Sequence, residues 1–203
     1  MNHDLQRLHR ELAHSLQGID STQTQWRPPS RPANWSIQQI VEHLLLSYSG
    51  TETAINARLA KRAPTRAKPS LMQHFGQYTL IRLGYFPTGR KAPPLVTPPP
   101  TTHPLSGEEL THAVADYLGR LNLLLTEAED IFGATNRCAS HMVLGPLSVN
   151  QWCRFQLIHG MHHAKQILAI RQAHHRRQHP HSIPVGKQAS SISLFIHPPI
   201  APP

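Results

Sequence analysis

The sequence predicts an all-α fold, a four-helix bundle with a long crossover between the second and third helices. Three observations carry that reading. Apolar residues recur at spacings of three and four in four separate segments, which places each set on one helical stripe. Two of those segments open on a serine followed three residues later by Gln or Glu, the signature of a capping box, and a third opens on a serine cap. No stretch of useful length alternates with the period of a strand, the short Ile192 to Ile196 run apart.

The first helix is expected from about Asp4 to Ile19, where Leu5, Leu8, Leu12, Leu16 and Ile19 form the stripe. Gly18 and the polar group Asp20-Ser21-Thr22 stop it, and a proline-rich loop follows through residues 26–34. Ser36 and Gln39 open the second helix, whose stripe runs through Ile37, Ile40, Val41, Leu44, Tyr48, Ile55 and Leu59 to about Lys61. Pro64 ends it. Residues 63–105 are the least regular: a short helix from Leu71 to Leu83, then Gly84 to Gly89, then Pro98-Pro99-Pro100. That is long for a connection inside one domain, and a crossover over the outside is expected. Ser106 with Glu109 opens the third helix, through about Ala128. Gly133 to Pro146 reads as a loop, and Ser148 caps a fourth helix through Ala173. The bundle is thus expected over 1–173, with 174–203 a disordered tail rich in His and Pro.

With 203 residues the chain can bury one good core but not comfortably two. A formal charge of +9 and a pI near 10.3 raise nucleic acid and acidic membranes as partners. The basic residues divide, however, between a 58–68 run and a cluster at 171–179, and no recognition motif accompanies them. Nucleic acid is not expected. Cys138 and Cys153 are too few for a disulfide framework and point to a reducing compartment. The N-terminus lacks the apolar core of a secretory signal, and no apolar run approaches the ~18 residues that span a bilayer. A cytoplasmic location without a membrane partner is expected.

Most of the 16 histidines have no chemical context. His3, His9 and His14 lie among polar residues, and His174, His175, His179 and His181 form at best an adventitious cluster. His159 and His163 differ. Four residues apart on a helix, they stack on one face with Trp152, Gln156 and Ile170, and both rings can turn a nitrogen toward one ion. His162, three residues from His159, meets the same spacing requirement. A bundle site needs a further ligand from a facing helix, and the second helix offers His43, although a helical wheel puts it to one side of the stripe.

The block Trp35-Ser36-Ile37-Gln38-Gln39-Ile40-Val41-Glu42-His43-Leu44 resembles the opening of the second helix in the DinB/YfiT-like superfamily. His141 through Trp152, followed by His159 through Gln166, is similar to that family's fourth-helix block, and Gly84 to Arg90 is similar to a stretch in its DinB_2-like branch. The resemblance covers about residues 5–173 and departs at Met142, where proline is usual. It implies a bundle with a long crossover and a divalent metal (zinc, nickel or iron) on His43, His159 and His163, with His162 not the usual ligand.

Three function classes follow. One is metal-dependent hydrolysis of a small molecule. A second is transfer involving a low-molecular-weight thiol, an activity shown by some members of the superfamily. The third is a metal-binding or interaction bundle without turnover. A homodimer is compatible with each. Gln156 and Gln166 are candidates to hold the ligand rings. Glu42 adjoins a ligand in sequence but points about 100° away on a helix, and no general base is assigned.

Overall fold

The computed structural model describes residues 1–30, 32–87 and 91–179. Among them are six α-helices and one small antiparallel sheet. They are α1 (His3–Leu16), α2 (Ser21–Gln25), α3 (Ile37–Leu59), α4 (Leu71–Gln77), α5 (Gly107–Phe132), β1 (Arg137–His141), β2 (Gly145–Ser148) and α6 (Val149–Gln178). A π turn, Tyr78–Arg82, continues α4, and a single 3-10 turn spans Pro94–Val96. No helix among the described residues is long and apolar enough to cross a membrane.

Capping boxes close the N-termini of α3 and α5 at Ser36 and Ser106, as the sequence predicts, and the serine cap expected at Ser148 of α6 is likewise a full box with Gln151. Two more, Asp20 with Gln23 and Ser70 with Gln73, open α2 and α4. Each box satisfies backbone N–H groups that a helix leaves without partners. The polar group expected only to end the first helix therefore also starts a second, short one.

Contacts between the long helices give their directions. Arg154 pairs with Asp4, and Arg171 donates to the carbonyls of Ser15 and Gln17, so α6 runs parallel to α1. Gln38 bonds Leu105 just before α5, and Glu52 meets Arg120 within it, so α3 and α5 also run parallel. His43 faces His159 while Thr51 faces Gln156, which makes α3 and α6 antiparallel. Two parallel neighbours cannot be joined by a tight turn. The chain from 60 to 106 must carry the course back along a helix of 23 residues, about 35 Å.

The four long helices share one core, filled by Leu5, Leu8, Leu12 and Leu16 of α1 and by Leu110, Val114, Leu118 and Leu121 of α5. α5 starts against the end of α1, where the Gly107 N–H donates to the carbonyl of Ile19 at 2.9 Å. A Cβ on Gly107 would overlap the Leu16 carbonyl oxygen.

Two expectations need correction. The loop expected from Gly133 to Pro146 contains a hairpin, with Ala139 opposite Leu147 and His141 opposite Gly145. Its stability comes from side chains rather than strand periodicity. His141 Nδ1 accepts the N–H groups of Val143 and Leu144, and Gln77 Nε2 donates to the carbonyls of Leu144 and Pro146. The fourth helix also does not stop at Ala173 but continues to Gln178. The rest of the expected tail, 180–203, lies outside the described residues.

Gly107→Ala is expected to destabilise the protein by about 1–3 kcal/mol, because backbone rather than a flexible side chain must move. Chemical denaturation checks this. An unchanged midpoint would mean that the α1–α5 junction is looser than described.

Candidate metal centre

His43 lies in the second turn of α3, and His159 and His163 lie one turn apart near the middle of α6. All three are buried, although His43 sits off the apolar stripe of its helix. The reason is that α3 is covered on two faces. Gln38, Gln39, Ile40, Val41, His43 and Leu44 are all buried, because the long helices pack on one side and the crossover lies on the other. Gln38 anchors that cover. Its amide oxygen accepts from Gln25 and from the Leu105 N–H, while its nitrogen donates to Glu42 and to the carbonyl of His103.

The Nε2 atoms of the three rings converge. His43 Nε2 is 3.1 Å from His159 Nε2, and His163 Nε2 is 3.0 Å from it. Among the described residues these three form the one group of His, Cys, Asp or Glu whose ligand atoms could share a metal ion. Nitrogens bound at roughly 2.0–2.1 Å to one ion lie roughly 2.9–3.4 Å apart for angles between octahedral and tetrahedral. The observed separations fall in that range.

The far sides of the rings decide which nitrogens are free. His43 Nδ1 donates to the Val96 carbonyl at 2.7 Å, so its Nε2 is a bare lone pair. His163 Nδ1 donates to Gln166 Oε1 at 2.8 Å, which leaves its Nε2 bare as well. A neutral His159 has one N–H and cannot fully satisfy both neighbours, and its own Nδ1 is buried without a partner. A cation between the three nitrogens resolves the conflict. Residues and geometry fit a divalent metal.

Burial keeps these rings neutral, the form that binds metal. It lowers the pKa of His43 against a raising bond to Val96, and lowers that of His163 to about 3, with His43 adding to the effect. His159 is pushed well down by burial first and then by the other histidines.

Aromatic rings wall the site. Trp35 lies 5.0 Å from His43, and Phe155 stacks on His159. Phe86, from the crossover, stacks on both His159 and His162. His162 is outside the cluster: it is partly exposed, and its Nε2 accepts from Gln166 Nε2 at 3.0 Å. Gln166 therefore orients the His163 ring, one of the three candidate ligands. Gln156 does not, because it donates to Thr51 Oγ1 instead. Glu42 turns its carboxylate toward Gln38.

Sequence reading missed Val96, Phe86 and the structural part played by His141. A backbone carbonyl carries no residue signature, and nothing local ties residue 86 or 96 to α6 or α3. The cysteines are no alternative ligands: both are buried and free, and burial raises their thiols to about 11 at Cys138 and about 12 at Cys153.

The profile of the DinB superfamily matches residues 4–167, the segment that carries all three buried histidines and the crossover between them. The chain belongs to the DinB superfamily. No curated protein and no solved structure matched it. The match ends within α6, four residues after His163.

The buried histidines make the metal-free protein acid-sensitive. The unfolded chain takes up protons near the ordinary value of 6.5, whereas folded His141 stays neutral to about 4 and His163 to about 3. Between those values the unfolded state binds more protons, so stability falls as pH falls. The urea midpoint is expected to drop steadily from about pH 7 to about pH 4. A flat profile would mean that these rings are not buried.

Proposed function

We propose that this DinB protein holds one divalent metal ion on Nε2 of His43, His159 and His163 and uses it to hydrolyse a small molecule. The observation that carries the reading is the convergence of three Nε2 atoms, two of them bared because Nδ1 of the same ring donates to an oxygen acceptor on its far side. Zinc, nickel and iron all accept imidazole ligands. Three protein ligands leave room for water or substrate, and a bound ion would supply Lewis acidity, lowering the pKa of a coordinated water toward ~7.

The chain's own residues have distinct parts. Val96 and Gln166 fix the orientation of two ligand rings. Trp35, Phe86 and Phe155 limit water around them. We read the four long helices as a four-helix bundle within 1–173, with the directions of α1, α3, α5 and α6 as its up-down-down-up course and the crossover as the cover of the site. Buried free thiols support a cytoplasmic location.

A second reading is thiol-dependent transfer. It is favoured by the lack of a carboxylate among the described contacts of the three rings, because a thiol needs less help than water to lose its proton.

Metal analysis of untagged protein tests the site. About one ion per chain is expected, with loss of most of it in His43→Ala and in His159→Ala, and a roughly 10–100-fold weaker affinity in Gln166→Ala. Deletion of residues 180–203 is expected to leave the content unchanged. Full metal content in both histidine variants would overturn the site. A screen of ester, amide and thiol substrates then separates the readings: hydrolysis lost in His43→Ala supports the first, thiol-dependent turnover the second, and no turnover a binding protein.

A further inference from the structure

Residues 53–107 contain eight Lys and Arg and no Asp or Glu, although the whole chain has 11 acidic residues. Large apolar side chains are exposed within the same stretch. Leu71 is 89%, Met72 78% and Phe75 65% exposed on α4, and Tyr78 follows on the π turn. Leu71, Phe75, Tyr78 and Arg82 recur at helical spacing along one stripe. The hairpin tip extends the patch, because Gln77 of α4 bonds the carbonyls of Leu144 and Pro146, and the neighbouring Met142 and Val143 are exposed. Arg66 and Lys68, both exposed, lead directly into α4 from a loop tied to β1 by Thr65.

A cleft of about 640 Å³ opens beside this stripe, between the π turn and the start of α6. His74, Tyr78, Arg82, Gln151 and Arg154 line it, and no acidic side chain does. Arg82 has no ion pair among the described residues; Arg154 has one, 3.8 Å from Asp4. Exposed apolar groups framed by cations are the composition of a surface that sits in a lipid interface. A second copy fits less well, since two such faces would bring like charges together. Nucleic acid would leave Leu71 and Met72 without a role.

We propose that α4, the π turn and the hairpin tip form a docking surface for a membrane containing anionic phospholipid. Leu71, Met72 and Phe75 enter the interface, Arg66 and Lys68 approach the headgroups, and the Arg82–Arg154 cleft receives a lipid phosphate. Surface docking needs no spanning helix. It does not depend on the metal reading above.

Flotation of the full chain with vesicles tests it. Binding is expected to vesicles of phosphatidylcholine mixed equally with phosphatidylglycerol, weaker at high salt, and absent from pure phosphatidylcholine. The pair Leu71→Asp with Phe75→Asp, and separately Arg66→Glu with Lys68→Glu and Arg82→Glu, are each expected to reduce it roughly tenfold or more. These side chains are exposed, and circular dichroism is the check that the variants fold. No flotation of the wild type, equal flotation with neutral vesicles, or binding that survives both sets overturns the proposal. So does a dimer in light scattering that Phe75→Asp dissociates without any vesicle binding. Binding to a homopolymeric RNA that only the charge variants abolish, with no vesicle binding, overturns it as well.

Discussion

Three neutral imidazoles facing one another inside a protein form the arrangement on which the rest of this structure depends. Each ring has one proton to give, and two of the three give it away from the centre, to Val96 and to Gln166. Their bared lone pairs then face His159 Nε2, at 3.1 and 3.0 Å, in a desolvated space where one N–H of His159 cannot serve both. An uncompensated buried polar atom costs about 1–3 kcal/mol, so the cluster is unfavourable until a cation occupies its centre. Holding it in place is the task of the antiparallel packing of α3 on α6.

The direction of the helices supplies the cover. Because α3 and α5 run parallel, the chain between them must travel the length of the protein, and it does so across the face of α3 that the core leaves open. That passage brings a carbonyl to His43, an aromatic ring to His159 and two backbone groups to Gln38. A connection needed for topological reasons thus also orients the His43 ring and covers the histidine cluster.

Much of this was legible beforehand, and the failures have physical causes. The long helices announce themselves through Ser36, Ser106 and Ser148 and through leucines at helical spacing, because caps and stripes are local. Asp20 with Gln23 and Ser70 with Gln73 carry the same signature in segments too short to show a stripe. The hairpin was invisible because His141 and Gln77, rather than alternation, stabilise it. His43 looked misplaced on a helical wheel because the wheel assumes one buried face, whereas the crossover gives α3 a second. His162 could not be separated from His163 by spacing; the bond from Gln166 separates them. The family blocks at Trp35 to Leu44 and His141 to Gln166 pointed to the same three rings that the fold brings together, without giving any of these reasons.

The most direct test of the account is a crystal structure of untagged protein with diffraction recorded at the absorption edge of the metal found by analysis. The account predicts one dominant anomalous peak, within roughly 2.0–2.1 Å of Nε2 of His43, His159 and His163, with Val96 and Gln166 still on the opposite nitrogens. A dominant peak at His174, His175 and His179, with the three buried rings bonded only to one another, would contradict it.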